Sequence, residues 1–329
     1  MKSKIVYNPL LALIYLPVFA IGFVIFTLTG NTPTLSFISF RKLYCITRGQ
    51  LNKGLRFVFR RLYNRAYTYP VATEGVLFKR GLASEEYNLA LNGLRKNGYY
   101  KFRKKLDPDL VKRLREFSKN SAAIVHGGQA RIVEKVNFTN PAGPKYEIDP
   151  KEFYKSAALA ELALDSNLYE LASAYLQTAA ILDLIAMWWL LPYASTASTE
   201  AAQLFHFDMD RISFLKFFVY LTDVGPKNGP HTYVRGSHVY KPRHLFQDRR
   251  FNDFEIEKSY GADKIDAITG SSGTIIAADT SGFHKGGVVD LDSRLILQVE
   301  FASSLFGQNY PPHRLAKSKE APAYRHVYT

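Results

Sequence analysis

Cysteine is nearly absent: the 329 residues contain one, Cys45. A single thiol excludes an internal disulfide framework and any zinc or iron–sulfur site built on several thiolates. Metal chemistry in this chain has to use histidine and carboxylate side chains. Internal repeats and low-complexity tracts are also missing, which excludes solenoid and collagen-like architectures. With 47% hydrophobic and 22% charged residues, the composition is that of a folded chain and not a disordered one.

Acidic residues are missing from the first 73 positions, the first being Glu74. The same stretch holds ten basic residues, from Lys2 to Arg65, and so carries +10 of the formal net charge of +14. Beyond it, 33 basic residues face 29 acidic ones, a net +4. A protein that tracks nucleic-acid phosphates needs its charge on the folded domain. The distribution predicts no nucleic-acid partner.

Residues 10 to 28, LLALIYLPVFAIGFVIFTL, run for 19 positions without a charge. As a helix at ~1.5 Å per residue they cover roughly 28 Å, the thickness of a hydrocarbon core. Pro17 and Gly22 are tolerated in a bilayer helix. The run is longer than the apolar region of a secretory signal, and no small-x-small cleavage site follows it. Residues 41 to 65 then set eight basic residues among Leu, Phe, Val and Tyr, the pattern of an amphipathic segment on an anionic membrane surface. These features predict a transmembrane anchor over residues 1–30, a basic juxtamembrane segment over 31–73 and a catalytic domain over 74–329. The expected location is a membrane crossed once, with the catalytic domain on the cytoplasmic side by the positive-inside rule.

From Ser84 to Lys119 the pattern reads helix, short strand, helix, with Gly98 stopping the first helix and Asp107-Pro108 starting the second. Residues 120–150 read as short strands and loops. Phe153 to Leu191 is apolar at helical spacing and predicts helix, broken at Asp165 to Asn167. Beyond Pro192 the character changes to strands, at 214–224, 273–278 and 294–301.

His206-Phe207-Asp208 is the one His-x-Asp of the chain. In extended backbone, residues i and i+2 share a face, so the pair can bind one metal ion together. Two histidines and one carboxylate on one face of an octahedron leave three sites open, the arrangement of non-haem Fe(II) oxygenases. Among the later histidines, His284 is the best third ligand, because it follows a strand in the Gly-flanked stretch TSGFHKGG. Ten residues on, Arg294 offers a planar clamp for a carboxylate such as the distal end of 2-oxoglutarate. Lys216, in the middle of an apolar strand, is predicted to line the barrel and meet 2-oxoglutarate or an anionic substrate, since an unpaired ammonium is rarely buried. Thr280 and Gln203 are placed near the cosubstrate by their closeness in sequence to the ligands. His231 lies in GPHTYVRGSH, whose Gly-Ser-His portion reads as a turn-fixing element.

Jointly and in order, HFD at 206–208, FLKFFVYLTDVGPKNGPHTYVRGSH at 214–238, DTSGFHKGG at 279–287 and Arg294 in RLILQVEF resemble the phytanoyl-CoA dioxygenase-like branch of the Fe(II)/2-oxoglutarate-dependent oxygenases. The upstream stretch NGYYKFRKKLDPDLVKRLREF at 97–117 is similar as well, so the resemblance spans roughly Leu94 to Phe301. It implies a mainly β fold with helices, a double-stranded β-helix (jelly roll, cupin-like). It further implies Fe(II) held by His206, Asp208 and His284, and 2-oxoglutarate and O2 as cosubstrates. The implied reaction hydroxylates an unactivated C–H bond and releases succinate and CO2. Asp208 is the carboxylate that halogenating relatives lack. The anchor and the apolar barrel face point to a small substrate of lipid or lipid-linked kind. The alternative is a non-catalytic double-stranded β-helix acting as a binding or scaffold protein at the membrane, against which the three ligands and Arg294 argue.

Overall fold

The computed structural model describes residues 10–62, 75–77, 85–127, 133–193, 203–310 and 314–315. The uncharged run is a single helix, α1 (Leu10–Thr29). A turn at residues 30–33 reverses the chain into α2 (Thr34–Ile46), followed by α3 (Gln50–Leu62). Gly22 allows α1 and α2 to approach: a Cβ there would lie 1.6 Å from Ser36 Oγ, and that hydroxyl donates to Val18 O at 3.1 Å. Both helices close on the fully buried Phe306, whose ring centroid is 5.4, 5.3 and 5.5 Å from those of Phe19, Phe23 and Phe26 and 5.9 Å from that of Phe40.

The basic segment expected at a membrane surface forms, over residues 34–62, a helix pair docked on the folded domain. Arg41 forms a bidentate pair with Asp248 at 2.9 and 2.5 Å, and Asn52 and Arg56 both donate to Ile212 O at 3.3 Å. Basic side chains with helical spacing serve a water-exposed face equally well, and the tertiary partners that recruit them lie more than 150 residues away in sequence. The expected boundary at residues 73 and 74 lies outside the described residues.

The predicted helix, strand and helix are α4 (Glu85–Asn97), β1 (Tyr99–Lys101) and α5 (Pro108–Asn120). Asp107 caps α5 by accepting from Asp109 N and Leu110 N at 2.9 and 3.2 Å. Then come β2 (Ala123–His126), β3 (Val133–Glu134), β4 (Lys145–Ile148), α6 (Ala157–Ala163) and α7 (Ser166–Leu176). Asp165 caps α7 at the expected break.

Residues 181–190, expected to be helical, form the strand β5 (Ile181–Leu190). A short apolar run buried on both faces has no period that separates strand from helix, and tertiary pairing decides: β5 lies between β4 and the later β11 (Arg294–Ala302). The ladder slips by one residue between Glu300 and Phe301, which leaves Asp183 as an extra residue. There Asp183 binds Arg211 at 2.5 and 2.7 Å, both side chains buried.

The remaining elements are β6 (Phe214–Tyr220), β7 (His231–Val234), α8 (Asp253–Tyr260), β8 (Ile265–Ile268), β9 (Ile275–Ala278) and β10 (His284–Gly286). Antiparallel pairing gives one sheet of order β1-β9-β6-β11-β5-β4-β2-β3 and a second of order β10-β7-β8. Residues of both sheets line one interior cavity, the architecture of a jelly roll. Period two sorts β11: Leu295, Leu297, Val299 and Phe301 join the core against the helices, whereas Arg294, Ile296 and Gln298 face the cavity. On β6, Leu215, Phe217 and Val219 join that core, and Lys216 and Phe218 face the cavity.

Candidate metal centre

His206 and His284 exchange both backbone hydrogen bonds, His206 N to His284 O at 3.0 Å and His284 N to His206 O at 2.9 Å. Such a pair sets two side chains next to each other on one face, and the imidazole centroids are 4.3 Å apart. Two residues on, Asp208 N donates to Thr280 O at 2.8 Å, so Asp208 joins the same face. Its Oδ1 lies 3.7 Å from His206 Nε2 and its Oδ2 lies 3.5 Å from His284 Nε2. One ligand atom from each of the three residues falls within 4.8 Å of the other two. Donors bound about 2.1 Å from a common ion sit roughly 3 Å apart at right angles and 4 Å apart across it, so the spacing suits one shared ion.

Tautomers fit as well. His206 Nδ1 is 3.0 Å from Leu204 O, and His284 Nδ1 is 3.0 Å from Gly282 O. A carbonyl only accepts, so each Nδ1 carries the proton and each Nε2 keeps a bare lone pair. Burial lowers the pKa of both rings, that of His284 strongly, which keeps them neutral near pH 7. Burial disfavours charge on Asp208 too, but the Lys216 ammonium outweighs it by its charge and hydrogen bond and holds the carboxyl below its ordinary range. Two neutral imidazoles and one carboxylate form a donor set suited to a divalent transition metal.

The loop that leads into His284 is fixed from several sides. Ser281 N bonds Asp279 Oδ1 at 3.0 Å, Tyr175 Oη bonds Asp279 Oδ2 at 2.6 Å, and Phe283 N bonds Ser237 Oγ at 2.7 Å. At Gly282 a Cβ would lie 2.1 Å from Tyr233 Oη, so only glycine lets this backbone pass. Ser237 Oγ also donates to Val234 O at 2.7 Å, the turn-fixing role expected of the Gly-Ser-His element. Lys241 Nζ donates to Ser237 O and Ser281 O at 2.9 and 2.5 Å and lies over the rings of Phe207 and Phe283. Its burial lowers its pKa to about 7.

The cavity, about 230 Å³, is lined by His206, Asp208, His284, Arg294, Lys216 and His231 among others. Arg294 is 2% exposed, and its Nε and Nη1 have no hydrogen-bond partner among the described residues. Burial lowers its pKa to about 10, still charged at neutral pH. A buried guanidinium that faces the cavity with no carboxylate of the described residues bonded to it calls for an anion from outside the chain.

Lys216 lines the cavity as expected, but its partners are carboxylates of the chain itself: Asp208 Oδ2 at 2.8 Å, Glu300 Oε2 at 3.3 Å and Asp210 Oδ2 at 3.5 Å. Glu300 sits directly across the ladder from Lys216. Burial disfavours the ammonium, and the three carboxylates overcome that and raise its pKa well above normal. Thr280 and Gln203 are buried outside the cavity wall, and Thr280 acts through its carbonyl on Asp208 N. His231 Nε2 is buried without a hydrogen-bond partner among the described residues, and its ring centroid is 5.6 Å from that of His284. His238 bonds Arg95 O and His244 faces Ser259, both away from the cavity.

Asp210, Glu300 and Trp188 were not expected near the site. Period two carried the signal for the first two, since Asp210 is i+2 from Asp208 and Glu300 shares a strand face with Arg294. Trp188 lines the cavity beneath Lys145, whose Nζ is 5.2 Å from its ring centroid, and was hidden by the helical reading of β5.

A family profile described as Phytanoyl-CoA dioxygenase (PhyH) matches residues 94–289. No curated protein matches the chain significantly. Among solved structures, AviO1 from Streptomyces viridochromogenes Tue57 is 18% identical with a TM-score of 0.47, over 70% of this chain and 100% of that one. HygX from Streptomyces hygroscopicus, with nickel and 2-oxoglutarate bound, is 16% identical with a TM-score of 0.47, over 74% and 95%. EctD from S. alaskensis, with bound Fe, is 18% identical with a TM-score of 0.46, over 69% and 82%.

Proposed function

The chain belongs to the phytanoyl-CoA dioxygenase family, and from that membership we propose that it is an Fe(II)- and 2-oxoglutarate-dependent oxygenase that hydroxylates a C–H bond of a small, membrane-associated substrate. The observation that carries this reading is the convergence of His206, Asp208 and His284 in one cavity with Arg294, whose Nε and Nη1 have no partner among the described residues.

Iron in such a centre, with 2-oxoglutarate and O2, supplies the oxidising power for hydroxylation, with succinate and CO2 as by-products. His206 and His284 hold it through Nε2, each ring kept in that tautomer by a backbone carbonyl, and Asp208 holds it as a carboxylate. Lys216 occupies Asp208 Oδ2 and so favours Oδ1 for the metal. Arg294 binds the far carboxylate of 2-oxoglutarate and fixes the cosubstrate's direction in the cavity. His231, neutral and aromatic against Phe218 at 4.6 Å, narrows the space beside His284. The burial of these groups keeps bulk water from the reacting atoms.

Membrane association is supported by the exposed apolar face of α1, which is long and apolar enough to cross a bilayer. Lys216 beside Asp208 is the feature that favours a second reading, a barrel that keeps the fold as a binding module, its ammonium standing in for the metal. Purified protein given Fe(II), ascorbate and 2-oxoglutarate in air tests the two. Slow succinate formation that His206→Ala abolishes supports the oxygenase, and absent turnover with no iron binding supports the module.

A further inference from the structure

Given the membrane association proposed above, on which this rests, the packing of α1 restricts how the chain can meet a bilayer. At 20 residues, α1 is about 30 Å long and could cross. Its inner stripe of Ala12, Tyr15, Phe19, Phe23 and Phe26, however, packs on a cluster that includes Ile212 and Phe306 of the barrel. The turn that follows is tied to the barrel as well: Asn309 Nδ2 donates to Thr32 O at 2.9 Å and Gly307 N donates to Thr32 Oγ1 at 3.0 Å. Next to it, α2 is held by the Arg41–Asp248 pair. A crossing α1 would draw these polar and charged groups into hydrocarbon, where they are costly.

The outer stripe is different. Leu13, Ile21, Val24 and Leu28 are 69%, 63%, 58% and 80% exposed, and on α2 Leu35 is 70% exposed. Both helices turn their other face to Phe306, so these outer faces lie on the side away from the barrel. No acid occurs in residues 10–62, and α3 adds exposed Lys53, Phe57 and Arg61. Apolar side chains on helices whose own charges are all cationic complement an anionic bilayer surface. We propose that α1 and α2 lie in the plane of one leaflet of an anionic membrane, the outer stripe in the acyl chains, and that α1 does not cross. Tyr44, near the end of α2, packs on Phe207 between two of the proposed ligands, with centroids 5.7 Å apart. The membrane is thereby held at a fixed height from the cavity, which suits a substrate drawn from the same leaflet.

The test uses the full chain with one epitope at each terminus, expressed in cells and examined in sealed right-side-out and inverted membrane vesicles treated with protease. An in-plane helix leaves both epitopes on one face, and epitopes on opposite faces would overturn the proposal while leaving membrane association intact. Separately, the unaltered chain should float with phosphatidylcholine–phosphatidylglycerol vesicles. Val24→Glu with Leu28→Glu should cut the bound fraction at least tenfold without changing the melting temperature or succinate formation. An unaltered chain that ignores vesicles, or a double variant that instead splits a dimer, overturns both the in-plane placement and the membrane reading. Oxygenase activity, read as succinate, is judged independently of either result.

Discussion

Lys216 Nζ lies 2.8 Å from Asp208 Oδ2, so the carboxylate proposed to hold iron is already half engaged by a buried cation. The same ammonium is the only cation within 4 Å of the fully buried Glu300 among the described residues. Removing one member of a buried ion network leaves the other charges uncompensated, at about 3–5 kcal/mol. Burial raises the Glu300 pKa to about 8, so Asp208 carries the countercharge that Lys216 balances. Lys216→Met should therefore destabilise the protein by that order in urea unfolding, and adding Asp208→Asn should restore part of the loss. Unchanged stability in Lys216→Met would contradict the network.

Arg294 gives the opposite sign. A buried guanidinium without an internal partner destabilises the protein that lacks cosubstrate. Arg294→Met should raise the melting temperature of the cosubstrate-free protein while weakening 2-oxoglutarate roughly 100-fold, in line with about 3 kcal/mol for a charge-assisted bidentate contact. Iron affinity should stay near that of the unaltered protein. Calorimetric titration with 2-oxoglutarate and with Fe(II) separates the two effects.

His231 predicts an acid limb. Burial lowers its pKa to about 3, against an ordinary value near 6.5. Between those values the unfolded chain binds a proton that the folded chain does not, so stability falls as pH is lowered through this window. The slope contributed by one such group is at most about 1.4 kcal/mol per pH unit. His231→Gln should flatten the measured stability-versus-pH curve by up to one proton between pH 6 and 4, and an unchanged slope would show that the ring is not buried as described.

Gly22 tests the helix hairpin. Its missing Cβ is where Ser36 sits, so Gly22→Leu should pry α1 from α2 while the barrel keeps its fold. Limited proteolysis should cut residues 30–33 faster in this variant, with no change in the barrel fragment.

Much of this was legible from sequence because the site is local in period two. His206 with Asp208, Lys216 with Phe218, and the separation of Arg294 from Leu295 all follow from alternation along a strand. The bounds of α4, β1 and α5 followed from Asp107, Pro108 and Gly98. What escaped depended on pairing across long separations. The strand β5 is specified by β4 and β11, and without those neighbours ILDLIAMWWL reads as helix. Lys216 was correctly read as needing a partner, but Glu300 is identified as one only by a register 84 residues away in sequence. The docking of α1 and α2 rests on Phe306, Asn309 and Asp248, none of which has a motif.

In the proposed reaction His206, Asp208 and His284 hold one Fe(II) and Arg294 receives 2-oxoglutarate. The most direct measurement is an anaerobic titration of the purified protein with Fe(II) and then 2-oxoglutarate, followed by visible absorption. One iron per chain is expected, with a charge-transfer band that appears only when 2-oxoglutarate joins the bound iron, lost in His206→Ala, Asp208→Ala and His284→Ala and requiring far more 2-oxoglutarate in Arg294→Met. Iron that binds equally well to the three alanine variants, or no band at saturating 2-oxoglutarate, would contradict it.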